Sequence, residues 1–210
     1  MSDAARLAGN GVGLIRERAL AASIQGALER VYHLDRVADV GDFLKEAPEG
    51  QREALMLREA DDGAMEVRLC LPPLQGEAGL DALCQIIEGV SHFVYLVERV
   101  RLGRESTQLE LELQAEVDKW VVLAGSLGGR FHVGVSEELR ARLYERVAFR
   151  HDARTEEGER YRVANDVAHA FVRRMENRYV RDARFAEMRA ELRRFFHVGQ
   201  EGKLRLGRAA

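Results

Sequence analysis

The stretch of sequence that decides the fold is residues 80–100, LDALCQIIEGVSHFVYLVERV. Its apolar residues recur at spacings that place them almost all around a helix, which is typical of a helix buried at the centre of a domain. These residues are Leu83, Ile86, Ile87, Val90, Phe93, Val94, Leu96, Val97 and Val100. The sequence therefore predicts a central helix against which the other elements pack.

The polar residues of this helix form one narrow stripe. They follow one another at spacings of three or four residues, so they share one helical face. The stripe consists of Asp81, Gln85, Glu88, His92, Tyr95 and Arg99. Because an unpaired buried polar group costs about 1–3 kcal/mol, we expect its members to have partners on a neighbouring helix.

The segment 107–124 is predicted to be that neighbour. Residues 108–113 alternate like a strand, with leucines between glutamates. The apolar residues of the whole segment nevertheless keep one helical face, and Ser106 or Thr107 offers an N-cap, so we predict a helix.

An antiparallel pairing of the two helices places His92 level with Glu116. Glu112 and Glu116 are four residues apart on one face and repel each other unless a cation or a proton lies between them. We therefore expect a contact between His92 and Glu116, supported by Glu88 or Arg99.

The stripe has two interpretations. The first is a structural polar network formed by Glu88, His92, Tyr95, Arg99, Glu112 and Glu116. The second is a metal or acid–base site on Glu88, His92 and Glu116. Helical di-metal sites use a Glu-x-x-His spacing, whereas Glu88 and His92 are four apart and the second half-site would have to come from Asp166-x-x-His169. We favour the structural network, and we assign no catalytic residue, no metal and no cofactor.

The clearest non-helical signal is a predicted β-hairpin over about 53–71. Two alternating runs flank Asp61-Asp62-Gly63, and glycine accepts the positive φ that tight hairpin turns need. A further strand near 37–44 is a possible addition to it. The remaining pattern is helical from about residue 80 to 197.

These patterns predict a predominantly helical α+β fold. In it, a helical bundle with a central antiparallel helix pair packs against a β-hairpin or a small antiparallel sheet. We expect a flexible N-terminus over 1–13, a single domain over 14–198 and a basic C-terminal tail over 199–210.

The C-terminal region is the predicted interaction surface. It combines arginines with apolar residues that have no obvious core to join: Arg189, Arg193, Arg194, Phe196, Leu204 and Leu206. We expect a protein partner or self-association there. Nucleic acid is a weaker alternative, because Glu187 and Glu191 dilute the basic patch.

Composition bounds the remaining possibilities. The formal net charge is −3 and 46% of residues are hydrophobic, as in a globular chain. Cys70 and Cys84 lie among apolar residues and are predicted to be buried free thiols. The start lacks a secretory pattern and no apolar run reaches the length of a membrane span. We therefore expect a cytoplasmic, non-membrane protein, and a non-enzymatic adaptor or interaction protein in preference to an enzyme.

Overall fold

The computed structural model describes residues 14–48, 53–59, 65–71, 74 and 79–209. Within these residues the chain forms eight α-helices and three β-strands. The elements are α1 (Ile15–Tyr32), α2 (Val40–Phe43), β1 (Leu44–Glu46), β2 (Ala54–Glu59), β3 (Met65–Leu71), α3 (Leu80–Arg101), α4 (Gln108–Ser126), α5 (Val133–Arg140), α6 (Glu156–Met175), α7 (Phe185–His197) and α8 (Gln200–Arg208). A 3₁₀ turn precedes α5, and π-helical segments follow α5 (Ala141–Glu145) and α6 (Glu176–Val180). The predicted flexible start and the predicted turn at Asp61-Asp62-Gly63 lie outside the described residues.

The predicted α+β fold is confirmed, with α3 at its centre. This helix packs against α4, α1 and the sheet. It is the one described helix whose length and composition would allow it to cross a membrane. More than half of its most apolar window is buried by the rest of the fold, which is the environment of a core helix.

The segment 108–113 is helical, as predicted. Thr107 begins α4 with a capping box, in which its side chain accepts from the Glu110 amide and the Glu110 carboxylate accepts from the Thr107 amide. A capping box satisfies two backbone donors that a helix start would leave unpaired. The alternating glutamates therefore begin a helix and not a strand.

The sheet has the strand order β1-β3-β2. β2 and β3 form the predicted antiparallel hairpin, and β1 adds to the other edge of β3 in parallel, with Leu44 opposite Leu69. The sheet lies close to α3 at Gly89, where an added Cβ would come within 2.9 Å of the Leu69 side chain and 3.1 Å of Leu71. Glycine at this position therefore lets the sheet and the central helix approach each other.

The C-terminal end is part of the core, which corrects two expectations. Residues predicted to be a basic tail form α8, which packs against α6 and α4. Phe196 is buried, stacks on Tyr32 with ring centroids 4.3 Å apart, and meets Tyr95 edge-on. Leu206 is buried and Leu204 half-buried. These apolar residues pack between helices that are distant in the sequence, so their burial could not be predicted from the neighbouring residues.

Candidate functional site

The predicted antiparallel pairing of α3 and α4 is present. Ser91 Oγ donates to Asp118 Oδ2 at 2.6 Å, and Lys119 Nζ lies 2.8 Å from Glu88 Oε2. These contacts bring the polar faces of the two helices together near the middle of each helix.

The carboxylate that faces His92 is Glu112 and not Glu116, which corrects the predicted contact. His92 Nε2 lies 3.8 Å from Glu112 Oε2. Glu116 instead accepts from Lys119 Nζ at 2.8 Å, three residues along its own helix. Glu116 is therefore paired with Lys119 and not, as predicted from the sequence, with His92.

The polar stripe of α3 did not predict the role of Lys119, although the spacing of three residues between Glu116 and Lys119 indicates that they are neighbours on α4. Its ammonium lies 2.8 Å from both Glu88 and Glu116. The two carboxylates raise the pKa of Lys119 well above its ordinary value, against the opposing effect of burial. Lys119 is therefore a permanent cation that holds two of the three glutamates.

The third glutamate lies in an environment that penalises its charge. Burial, and secondly the charge of Glu88, raise the pKa of Glu112 to about 8. Burial also raises the pKa of Glu116 and lowers that of His92. His92 Nε2 is buried, and among the described residues it has no hydrogen-bond partner.

Three potential ligand groups converge at this point. One atom from each of Glu88, His92 and Glu112 lies within 4.8 Å of the other two. An imidazole nitrogen and two carboxylate oxygens are common ligands of divalent transition metals. The metal site considered as an alternative from the sequence had Glu116 as its third ligand, and the structure places Glu112 there instead.

The other members of the predicted network lie elsewhere. The Tyr95 ring packs against the Lys203 ammonium, 4.7 Å from the ring centroid, on the C-terminal side of the core. Arg99 lies 3.6 Å from Glu110 and donates to the Glu105 carbonyl. The stripe therefore divides into a cluster around His92 and a separate group near α8.

The second half-site that a di-metal interpretation would require, Asp166 and His169, does not form. His169 contacts Arg140 at 2.6 Å and Glu145 at 3.3 Å, and stacks near Tyr144. Asp166 is exposed. A di-metal site built from both helices is therefore excluded for these residues.

An open cleft of about 660 Å³ borders the cluster. Glu88, Glu116 and Lys119 line it, and residues of the chain between α5 and α6 form another part of its wall. Cys84 also lines the cleft, and burial raises the pKa of its thiol to about 11, so it is a poor nucleophile at neutral pH. A cleft of this size is within the range of small-molecule sites, and no pattern in the sequence indicated it.

The wall of the cleft contains the π-helical segment Ala141–Glu145. Tyr144 in this segment donates from its hydroxyl to the Glu116 carbonyl at 2.8 Å, and its own carbonyl accepts from Asn165 Nδ2. Single π-helical turns inside helices are frequent at functional sites. Here the turn ties the cleft wall to α4, directly beside the glutamate cluster.

The arginines of the predicted interaction surface lie outside this site. Arg189 and Arg194 are exposed, and Arg194 lies 3.9 Å from Glu191. Arg193 is half-buried, and its Nη1 lies 3.0 Å from the His33 ring. Phe196 and Leu206 are buried in the core, so the predicted interaction surface lacks two of its three apolar residues.

Comparison with known proteins identified no relative. The chain matches no protein-family model, no curated protein and no solved structure. The function must therefore be inferred from the geometry of the site.

Proposed function

We propose that this protein binds one divalent transition-metal ion through Glu88, His92 and Glu112, at the edge of the cleft. The observation that carries the proposal is the convergence of the three ligand groups within 4.8 Å, with a buried His92 Nε2 that has no partner among the described residues. A nitrogen lone pair placed beside two carboxylates is costly to bury unless something binds it.

The donor set indicates the class of ion. Two carboxylates and one imidazole favour manganese, iron or zinc over magnesium and calcium, which prefer oxygen ligands alone. Three protein ligands leave coordination positions open, as in catalytic sites. Lys119 fixes Glu88 by an ion pair and would act as an outer partner that orients this ligand.

Our second candidate function is interaction with a protein partner or with a second copy of this chain. The exposed side chains of Arg189 and Arg194 offer a polar surface for such a contact. Binding of nucleic acid is less favoured, because Glu191 and Glu187 lie in ion pairs with arginines of this region. A cytoplasmic location remains part of the proposal and is compatible with either function.

Cobalt(II) titration of chelator-treated protein tests the cation site, with visible absorption reporting the coordination of the ion. Glu112→Gln keeps the shape of the side chain and removes one ligand charge. We expect it to weaken cobalt binding by more than about 100-fold. His92→Ala should do the same and should change the absorption band.

Two comparison variants define the ligand set. Glu116→Gln should weaken binding by only about tenfold, because Glu116 acts through Lys119. Glu105→Gln, at an exposed position, should leave the affinity unchanged. A larger loss in Glu116→Gln than in Glu112→Gln would contradict our assignment, and equal affinities in all variants would refute the site.

A further inference from the structure

We propose that the cleft is a binding site for a small organic acid with a single negative charge and a flat apolar body. The acid group would be held by Arg146 and Arg150, and the body would lie on Val147 and Phe149. This inference goes beyond the cation site. Glu88 lines the cleft, but none of the four residues that would hold the acid is a ligand of the proposed ion.

The first support is the apolar surface that the cleft leaves open. Val147 is 40% exposed, and Phe149 and Leu80 are each 37% exposed, and all three line the cleft. Large apolar side chains that converge on one concave surface are typical of a ligand site.

The Phe149 ring is held in position by its surroundings. The guanidinium of Arg162 lies 4.6 Å from the ring centroid. Arg162 itself donates to the carbonyls of Gly158 at 2.8 Å and His151 at 3.1 Å. A ring fixed in this way offers a flat face for stacking at little cost in side-chain entropy.

The second support is an excess of positive charge on the same wall. Arg142 and Arg146 share a single carboxylate, that of Glu138, at 3.0 and 3.1 Å. Arg150 forms no ion pair or hydrogen bond with any residue that the structure describes. Guanidinium groups bind carboxylate, sulfonate and phosphate oxygens through paired hydrogen bonds.

Carboxylates elsewhere in the cleft lining limit the ligand to one negative charge. Glu88 and Glu116 share the ammonium of Lys119, and Asp81 and Glu53 also line the cleft. A second acid group reaching across the cleft would meet these carboxylates. The charge pattern therefore favours a monoanion over a dianion or a polyphosphate.

Fluorescence titration with 1-anilinonaphthalene-8-sulfonate tests the proposal, because this probe has one sulfonate and a flat aromatic body. The titration is done with chelator present, so that failure of the cation site leaves the result unaffected. We expect saturable one-to-one binding that Arg150→Ala weakens about five- to tenfold. Arg154→Ala removes an exposed arginine that does not line the cleft and should have no effect.

Two further measurements make the test decisive. Phe149→Ala should also weaken binding, and its circular dichroism and unfolding midpoint report whether the fold is intact. Naphthalene-2-carboxylate should displace the probe at lower concentration than naphthalene-2,6-dicarboxylate. Equal weakening by Arg150→Ala and Arg154→Ala, unchanged binding in folded Phe149→Ala, or preference for the dicarboxylate would each overturn the proposal.

Discussion

Two polar clusters lie between α3 and α4, and they differ in how completely their hydrogen-bonding groups are satisfied. Ser91 and His92 are adjacent in α3, yet Ser91 joins a cluster around Asp118 and His92 joins the cluster of glutamates at the cleft. The two clusters differ in the partners available to each side chain, and the cluster at the cleft is also slightly less buried than the one around Asp118.

The cluster around Asp118 is saturated. Asp118 accepts from Ser91 at 2.6 Å, from Gln114 at 2.9 Å and from the Tyr32 hydroxyl. Lys203 donates to Gln114 Oε1 at 2.6 Å and to the Phe195 carbonyl at 2.8 Å. Such a network joins α1, α3, α4 and α8 and specifies one arrangement of the core.

The cluster at the cleft is under-satisfied. The basic nitrogens near Glu112 lie 3.8 Å away in His92, whose pKa is lowered by burial, and 4.0 Å away in Arg160. His92 Nε2 has no partner among the described residues. Groups of this kind cost stability, and proteins tolerate that cost mainly where a ligand or substrate repays it. The number of satisfied hydrogen-bonding groups therefore distinguishes the cluster that holds the core together from the cluster that we propose binds a cation.

The largest expected effect comes from removing Lys203, the buried lysine of the saturated cluster. Lys203→Met keeps the aliphatic packing against the Tyr95 and Phe195 rings. It leaves Gln114 Oε1 and the Phe195 carbonyl without their donor, so we expect the free energy of unfolding to fall by about 3 kcal/mol. Urea unfolding at pH 8 measures this.

Lys45→Met is the matched control for that substitution. Lys45 is an exposed lysine in β1, and its replacement should change stability by less than about 0.5 kcal/mol. Similar values for the two variants would show that the buried lysine does not hold α8 in place.

The contribution of Lys203 to the free energy of unfolding should depend on pH. Burial lowers the pKa of Lys203 to about 7, although Asp118 and Glu110 act in the opposite direction. Between this value and the ordinary lysine pKa the unfolded chain binds more protons than the folded chain, so raising the pH favours folding. The stability of the wild type relative to Lys203→Met should therefore rise by up to about 1.4 kcal/mol per pH unit from pH 7 to 9.

In the wild type, Asp118 titrates mostly below this window. Burial raises its pKa to about 6, against the hydrogen bonds from Ser91, Tyr32 and Gln114, so its titration is nearly complete below pH 7. Urea unfolding of both proteins at pH 7, 8 and 9 gives the difference directly. A difference that stays constant over these pH values would mean that Lys203 keeps an ordinary pKa inside the core.

Much of the fold was predictable because it rests on local periodicity. The all-round apolar pattern of 80–100 identified the central helix, and the alternating runs about Asp61-Asp62-Gly63 identified the β2–β3 pair. Burial of Phe196 could not be predicted in this way. Its partners Tyr32 and Tyr95 lie far away in the sequence, and nothing in the local pattern distinguishes a core residue from an exposed one.

The candidate site was predictable only in part. Spacing on α3 placed Glu88 and His92 on one face, and antiparallel pairing supplied Glu112 and Glu116 as the neighbouring carboxylates. The choice between these two glutamates depends on Lys119, whose ammonium competes for Glu116. The cleft depends on where the chain between α5 and α6 lies, and this is a tertiary feature without a periodic signal.

The smallest expected effects are those of substitutions at Ser91 and His92. Because these residues are adjacent in α3, they compare the two clusters directly. Ser91→Ala removes a hydroxyl bonded to Asp118 and should lower the free energy of unfolding by about 1 kcal/mol. His92→Leu replaces a ring whose Nε2 has no partner among the described residues, and whose pKa is lowered by burial, with an apolar side chain of similar volume. It should change stability by less than about 0.5 kcal/mol.

Both variants should be unfolded in urea at pH 7.5 with chelator present, so that no bound cation contributes to stability. A loss on Ser91→Ala with none on His92→Leu is the result expected if the first cluster holds the fold and the second is kept for binding. If His92→Leu is instead the more destabilised of the two, the His92 ring makes a structural contribution as large as that of the saturated cluster. The glutamates around it would then be a second structural network, as the sequence pattern had favoured.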